Sequence, residues 1–327
     1  MEGTGVGLCI GYESSLRYWL TKTGGEALPE RVPPGAIKQA GATSALVKEG
    51  TLPFGPEHGR PLHLVVADAA LKHRIDGCRV HVCRADLPAG SFHRLPQGNI
   101  VSSPALTFLQ MASSASLWEL VEIGNYLCST FSISDEGRGY TGKREQLVSL
   151  EQLRDYLGSL PPHTRGAKRA LAALEHVVEL TASPMEVQLA MHYSLPPELG
   201  GRGPLTMHAN QAIRISEQGQ RLLGSQYLVG DLYLPEFKCD LEFDSEEFHT
   251  GKYRLDHTQA RRNVLEAMHV KTVSATYGQV NTLERFDDFT WLLEERLGID
   301  HPEYTREQQM AQSDLFDWLN EFGRTLF

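Results

Sequence analysis

Acidic residues recur at every second position near the end of the segment GDLYLPEFKCDLEFD, residues 230–244, with apolar residues between them. Because successive side chains of a β-strand point to opposite faces, Asp240, Glu242 and Asp244 would share one face of a strand. Like charges that face one another in a sheet are destabilising, so such a patch indicates a bound cation. Oxygen ligands suit Mg²⁺ or Mn²⁺, which polarise a phosphate and lower the pKa of an attacking water. The alternative is a solvated polar face of an edge hairpin.

A hairpin would add one more acid to this face. Pro235 interrupts the two strand-like runs, and a turn over 235–238 makes Leu234 pair with Cys239. The same register places the acid at the start of the first run directly opposite Glu242. The sequence therefore predicts a metal site on one surface of the hairpin. Its predicted ligands are Asp231, Glu242 and Asp244.

The elements predicted around this hairpin are those of an α/β domain with a mixed sheet, because a helix, antiparallel strands, a helix and a further strand follow one another. In chain order they are a helix from Ser183, a loop over 196–204, strands over 210–215, 226–234 and 239–244, a helix over 254–269, a strand from Val270 and a helix over 282–297.

The segment DLYLP…CDLEFDSEEFH resembles the hairpin of very-short-patch-repair-like endonuclease domains, within the PD-(D/E)XK restriction-endonuclease-like superfamily. The likeness covers roughly 180–297 and includes the helix with Arg261 and Arg262 and the strand VKTVSAT. It implies a restriction-endonuclease-like mixed sheet flanked by helices and a Mg²⁺- or Mn²⁺-dependent endonuclease. DNA is the implied substrate, with RNA as the weaker option.

The resemblance also implies roles for single residues. Three acids of the hairpin match the three acids of the family, His249 matches a histidine that shuttles a proton or contacts phosphate, and Glu186 matches an acid from the preceding helix. The implied catalytic residues are Glu186, Asp231, Glu242, Asp244 and His249. The basic residues that would clamp phosphate oxygens are Lys252, Arg254, Arg261 and Arg262.

Each of these assignments has a structural alternative. Glu186 stands three residues after Ser183, the spacing of a capping box, and it can serve both roles only if the helix start faces the site. His249 can be a surface histidine, and the four basic residues can form a solvated helix face. Both interpretations stay open from the sequence alone.

The chain departs from the family pattern at three positions. Asp244 replaces the usual lysine of the E-x-K motif, which leaves the charge-stabilising role unassigned. Asp256 lies further from Arg261 than in the expected D-x-x-R pair, and Ser245 stands where a glycine is usual.

The first half of the chain is expected to be a smaller, mixed α/β domain. Its stretch SSPALTFLQMA, with Ser103 and Pro104 as a helix start, resembles a segment that precedes such nuclease domains in actinobacterial proteins related to abortive-infection antitoxins. No catalytic constellation is visible in this half, so target recognition, regulation or a purely structural role is expected. The predicted elements are helices over 12–21 and 167–180, strands over 62–67 and 78–83, and a helix capped by Ser149 and Gln152.

Composition narrows the class of protein. A formal net charge of -10 argues against a general nucleic-acid binder, although clustered carboxylates lower the total without excluding a locally basic face. No apolar run reaches the roughly 18 residues of a membrane span, and five scattered cysteines fit free thiols in the cytoplasm.

We expect an N-terminal recognition or regulatory region over 1–170, an endonuclease-like domain over 171–300 and a helical tail over 301–327.

Two functions compete. The first is a metal-dependent DNA endonuclease in phage defence, toxin–antitoxin systems or repair. The second is a catalytically inactive nuclease fold that acts as a transcriptional regulator or antitoxin-like DNA-binding protein. The missing lysine and the acidic charge favour the second, whereas the intact acids favour the first.

Overall fold

The computed structural model describes residues 7–49, 52–57, 59–83, 86–134, 139–244 and 252–321, without the side chains of 252–258. The protein is a mixed α/β protein, as expected. Its residues form two compact units, an N-terminal unit that ends at Glu175 and a C-terminal unit that begins at His176. None of the helices in the described part of the chain has the length and apolar composition needed to cross a lipid bilayer.

A six-stranded sheet organises the N-terminal unit, with the order β2-β5-β6-β1-β3-β4. Its strands are β1 (Cys9–Ile10), β2 (Arg31–Val32), β3 (Leu62–Val66), β4 (Cys78–Val82), β5 (Phe92–Arg94) and β6 (Ile100–Ser102). A separate pair is formed by β7 (Ser132–Ile133) and β8 (Tyr140–Thr141). The helices are α1 (Tyr12–Leu20), α2 (Ser44–Glu49), α3 (Pro104–Met111), α4 (Leu117–Leu127), α5 (Leu150–Gly158) and α6 (Ala167–Leu174).

The helix starts predicted for this unit are confirmed. The hydroxyl of Ser103 accepts a hydrogen bond from the Leu106 amide at the start of α3, and the first turn of α5 is closed by a capping box between Ser149 and Gln152. These polar side chains bond amide groups that the first helical turn leaves without a partner, which fixes where each helix begins.

Two expectations for this region are wrong. The helix predicted over 167–180 ends at Leu174, because the chain then turns away and Val178 packs into the core of the C-terminal unit. The N-terminal unit is also not the smaller of the two, since it spans more of the chain than the C-terminal unit. Most of its strands have only two or three residues, too few to show an alternating pattern in the sequence.

A four-stranded mixed sheet organises the C-terminal unit, with the order β12-β11-β10-β9. The neighbours β9, β10 and β11 are antiparallel, whereas β11 and β12 are parallel and are joined through α9. In chain order the elements are α7 (Pro184–Ser194), β9 (His208–Arg214), α8 (Glu217–Leu223), β10 (Tyr227–Leu234), β11 (Cys239–Asp244), α9 (Lys252–Ala267), β12 (Lys271–Thr276), α10 (Tyr277–Val280), α11 (Leu283–Leu297) and α12 (Arg306–Asn320).

The predicted order of elements in this unit is confirmed, apart from two short helices, α10 and α8, which the sequence analysis missed. The longer of the two is α8. Its signals are Ser216, whose hydroxyl accepts from the Gly219 amide, and Gly224, which ends the helix in the left-handed conformation. The main core of the unit lies on one face of the sheet, where Leu232, Leu241 and Phe286 are almost completely buried.

Strand β9 contains a local kink. Asn210 has a φ of 50°, and the pairing between β9 and β10 skips the position at which Asn210 would face Asp231. The Asn210 side-chain amide donates to the carbonyl of Leu180, which stabilises this uncommon backbone conformation. The interruption therefore lies directly beside one of the acids predicted for the site.

Candidate functional site

The hairpin of β10 and β11 has the predicted turn and register, but its paired residues end at Leu232 and Leu241, so the predicted pair of Asp231 with Glu242 is not formed. Leu234 pairs with Cys239, and the side chains of β11 alternate as expected, with Cys239 and Leu241 buried in the main core. The Oδ2 of Asp231 accepts a hydrogen bond from the Phe243 amide of the neighbouring strand at 3.1 Å. Burial raises the pKa of Asp231, although this hydrogen bond acts in the other direction.

The helix α7 brings Glu186 to the same acidic group. The Glu186 amide donates to the Ser183 hydroxyl at 3.2 Å, and the carboxylate accepts from the Ala182 amide at 2.8 Å and from the Ser183 hydroxyl at 2.9 Å. Burial, together with the charge of Asp231, raises the pKa of Glu186 to about 7 despite these bonds. Glu186 therefore both caps the helix and interacts with Asp231 of the sheet. The amide it bonds is that of Ala182, whereas a capping box uses the amide of Ser183.

Asp240 is a member of this group that the sequence analysis did not select. It is fully buried, and burial and the charge of Glu242 raise its pKa to about 7. Its Oδ1 accepts no hydrogen bond from a donor among the described residues. Its position in the alternating acids of β11 was visible in the sequence, but the depth of its burial was not, because that depends on α9 covering this face.

Gly230 makes room for the Asp240 carboxyl. A Cβ atom at residue 230 would lie 2.5 Å from Oδ1 of Asp240, shorter than real Cβ contacts. The glycine directly before Asp231 is therefore needed for the packing of a buried acid, since a side chain there would displace it.

Replacing Gly230 with alanine should lower the free energy of unfolding by about 1–3 kcal/mol, because the added methyl group overpacks a filled space. Urea denaturation of the two proteins would measure this change. Gly278→Ala is the matched control, because a Cβ atom at residue 278 meets nothing within 4 Å. Equal losses in both variants would contradict this role for Gly230.

Arg261 of α9 supplies the positive charge that contacts the acids of the site. Its Nη2 lies 2.6 Å from Oε1 of Glu242 and 3.2 Å from Oδ2 of Asp240, and it donates to the Val229 carbonyl at 2.7 Å. Burial raises the pKa of Glu242, whereas the positive charge of Arg261 lowers it. All these contacts are with the sheet, so in this arrangement Arg261 neutralises acids, and its predicted contact with phosphate stays a prediction.

The remaining predicted residues have different positions. The Arg262 guanidinium donates to the Ser274 hydroxyl at 2.6 Å, which ties α9 to β12. Asp244 lies at the half-buried end of β11, paired in register with Thr276. The side chains of Lys252 and Arg254, and the whole of His249, lie outside the described residues.

The acids interact electrostatically, but they do not form a ready-made metal cage. The charge of Asp244 raises the pKa of Asp231, and both charges raise the pKa of Glu242. Among the residues that the structure describes, no three His, Cys, Asp or Glu side chains are arranged to hold a metal ion as they lie. The donor chemistry fits a hard divalent cation, since the four carboxyls with raised pKa values offer only oxygen atoms. These four belong to Glu186, Asp231, Asp240 and Glu242.

Comparison of the chain with protein-family models, curated proteins and solved structures gave no match. The function of this acidic site must therefore be inferred from its own residues.

Proposed function

We propose that the C-terminal unit is a divalent-cation-dependent nuclease that hydrolyses phosphodiester bonds of DNA, with a PD-(D/E)XK restriction-endonuclease-like core. The observation that carries the proposal is the group of buried and half-buried carboxyls at Glu186, Asp231, Asp240 and Glu242, whose raised pKa values reflect burial and mutual repulsion. Strongly perturbed acids gathered at one place are typical of functional sites. The order of helix, three antiparallel strands, helix and parallel strand supports the same assignment.

In this proposal, Asp231, Glu242 and Asp244 hold Mg²⁺ or Mn²⁺, and Glu186 completes the acidic group. When bound, such a cation polarises the scissile phosphate and lowers the pKa of the attacking water. Arg261 supplies the positive charge that the missing lysine of the E-x-K motif would provide, because its guanidinium contacts Glu242. Asp240 positions Arg261 from within the sheet.

A specific observation favours the second candidate, an inactive nuclease fold that regulates by binding DNA. Arg261 already pairs with Glu242 and Asp240, and the described acids do not converge as three metal ligands. A site that is neutralised internally by an arginine can preserve a fold without chemistry. The two candidates differ in whether the protein binds a cation and cuts.

The test uses the full chain, freed of metal, on plasmid DNA, single-stranded DNA and RNA with Mg²⁺, Mn²⁺ or a chelator. Cation-dependent cleavage of DNA supports the proposal, and cleavage of RNA alone would correct its substrate. Calorimetric titration with Mn²⁺ separates the remaining outcomes. If no substrate is cut and no cation binds, but the protein retards DNA in a gel, the regulator is the better assignment.

A further inference from the structure

The N-terminal unit brings together titratable side chains that lie far apart in the sequence. Glu13 comes from α1, His63 from β3 and His81 from β4. Oε2 of Glu13 lies 2.6 Å from Nδ1 of His63, and Nε2 of His81 lies 3.1 Å from the same atom. The ring of Tyr12 stacks on His81 at a centroid distance of 3.7 Å. The sequence showed no constellation in this half because no short-range spacing links these positions.

The chemistry of these groups fixes the hydrogen on His63. Burial would raise the pKa of Glu13, but the hydrogen bond and charge of His63 bring it below its ordinary value. Burial lowers the pKa of His81 to about 4. Glu13 is therefore ionised at neutral pH and can only accept, so Nδ1 of His63 carries the hydrogen. The two polar contacts described for the His63 ring both use Nδ1, so Nε2 has no polar partner among the described residues.

His63 and Glu13 border a pocket of about 220 Å³ that combines apolar and charged lining residues. Its charged lining residues carry three guanidinium groups and one carboxylate. The guanidinium groups are those of Arg17, Arg60 and Arg79, and the carboxylate is that of Glu13.

Two of the arginines have distinct roles in this pocket. Arg17 is held in place, since it pairs with Glu57 at 2.9 Å and lies 4.6 Å above the ring of Phe54. Arg79 is exposed on β4, the edge strand of the sheet, and makes no ion pair with another described residue. The pocket therefore combines a fixed guanidinium with one whose charge is available to a ligand.

We propose that this pocket binds a phosphomonoester group. The planar fork of an arginine matches phosphate oxygens, and the pocket carries an excess of such groups. Its volume lies below the roughly 300–1,000 Å³ of sites for whole drug-sized ligands, so it suits one phosphate and a small adjoining part of the molecule. Nε2 of His63 adds a further polar contact, held in orientation by Glu13. The phosphate can belong to a small metabolite or to the 5′ end of an oligonucleotide.

Calorimetry with the full chain tests this site, independently of the function proposed for the C-terminal unit. The probes are inorganic phosphate, adenosine monophosphate, and a short oligonucleotide with either a 5′-phosphate or a 5′-hydroxyl. Arg79→Ala should raise the Kd for the phosphorylated probes by about tenfold or more, since it removes a charge-assisted contact. Arg79→Lys should raise it less, because it keeps the charge and loses the fork.

Arg74→Ala is the matched control, because Arg74 is an exposed arginine of the same unit that does not border the pocket. The Kd of the Arg74→Ala variant for the phosphorylated probes should equal that of the unmodified protein. Binding of only one phosphorylated probe would identify the source of the phosphate. The proposal is overturned if no phosphorylated probe binds saturably, if Arg79→Ala binds as tightly as the unmodified protein, or if the 5′-hydroxyl oligonucleotide binds equally well.

Discussion

Glu242→Gln should reduce cation-dependent cleavage by roughly 100-fold or more, because even partners that only orient metal ligands change activity by about 10–100-fold. Glu242 interacts with the charges of Asp231, Asp244 and Arg261, so it has the central position among the predicted ligands. Glutamine keeps the shape of the side chain but removes the charge that would attract the cation. Initial rates on the preferred substrate and Mn²⁺ affinity by calorimetry would measure the two losses together.

The matched control for this prediction is Glu236→Gln, in the exposed turn of the same hairpin. It removes one negative charge from the same region without touching the acidic group, so its cleavage rate should stay within about twofold of the unmodified protein. The free energy of unfolding of the Glu242→Gln variant should be nearly the same as that of the unmodified protein, because the lost contact with Arg261 is offset by relief of repulsion among the acids. Full activity in Glu242→Gln would remove Glu242 from the proposed chemistry.

Arg261→Met should lower the free energy of unfolding by about 3–5 kcal/mol at pH 8, because it leaves the buried Asp240 without its positive partner. Methionine keeps much of the aliphatic volume, so the effect reports mainly on charge. Arg262→Met is the matched control from the neighbouring position, since Arg262 bonds only the neutral hydroxyl of Ser274 among the described residues. Its loss should be about 1 kcal/mol. Urea denaturation would measure both variants.

The effect of Arg261→Met should depend on pH. Asp240 has a pKa of about 7 in the folded protein, above its ordinary value, so the folded state retains a proton that the unfolded state has lost. Its contribution to stability therefore falls as pH rises from about 4 to 7. Arg261 stabilises only the ionised form of Asp240. The difference in the free energy of unfolding between Arg261→Met and the unmodified protein should therefore grow as pH rises through 7. A loss that is as large at pH 5 as at pH 8 would show that packing, and not charge, explains the destabilisation.

The hairpin could be predicted from the sequence because its information is local. Pro235 marks the turn, the alternation of β11 assigns each side chain to a face, and one register then follows for the strand pair. The spacing from Ser183 to Glu186 likewise fixed the start of α7. These signals extend over only a few residues, and the structure confirms them.

The parts that could not be predicted depend on contacts between distant segments. Arg261 is an exposed helix residue by its sequence pattern, yet it turns toward the sheet because Asp240 and Glu242 lie beneath α9. The pair of His63 and Glu13 joins a strand to a helix across the N-terminal unit. These contacts cannot be predicted from local sequence, since they depend on how each sheet assembles.

The kink at Asn210 also affects how this protein behaves at high concentration. Strand β9 is an edge of its sheet, and an edge presents unpaired amide and carbonyl groups on which another chain can add a strand. Asn210 divides His208–Arg214 into pieces shorter than the roughly six residues that fibril-forming segments use. The irregularity beside Asp231 therefore makes this edge a poor template for aggregation.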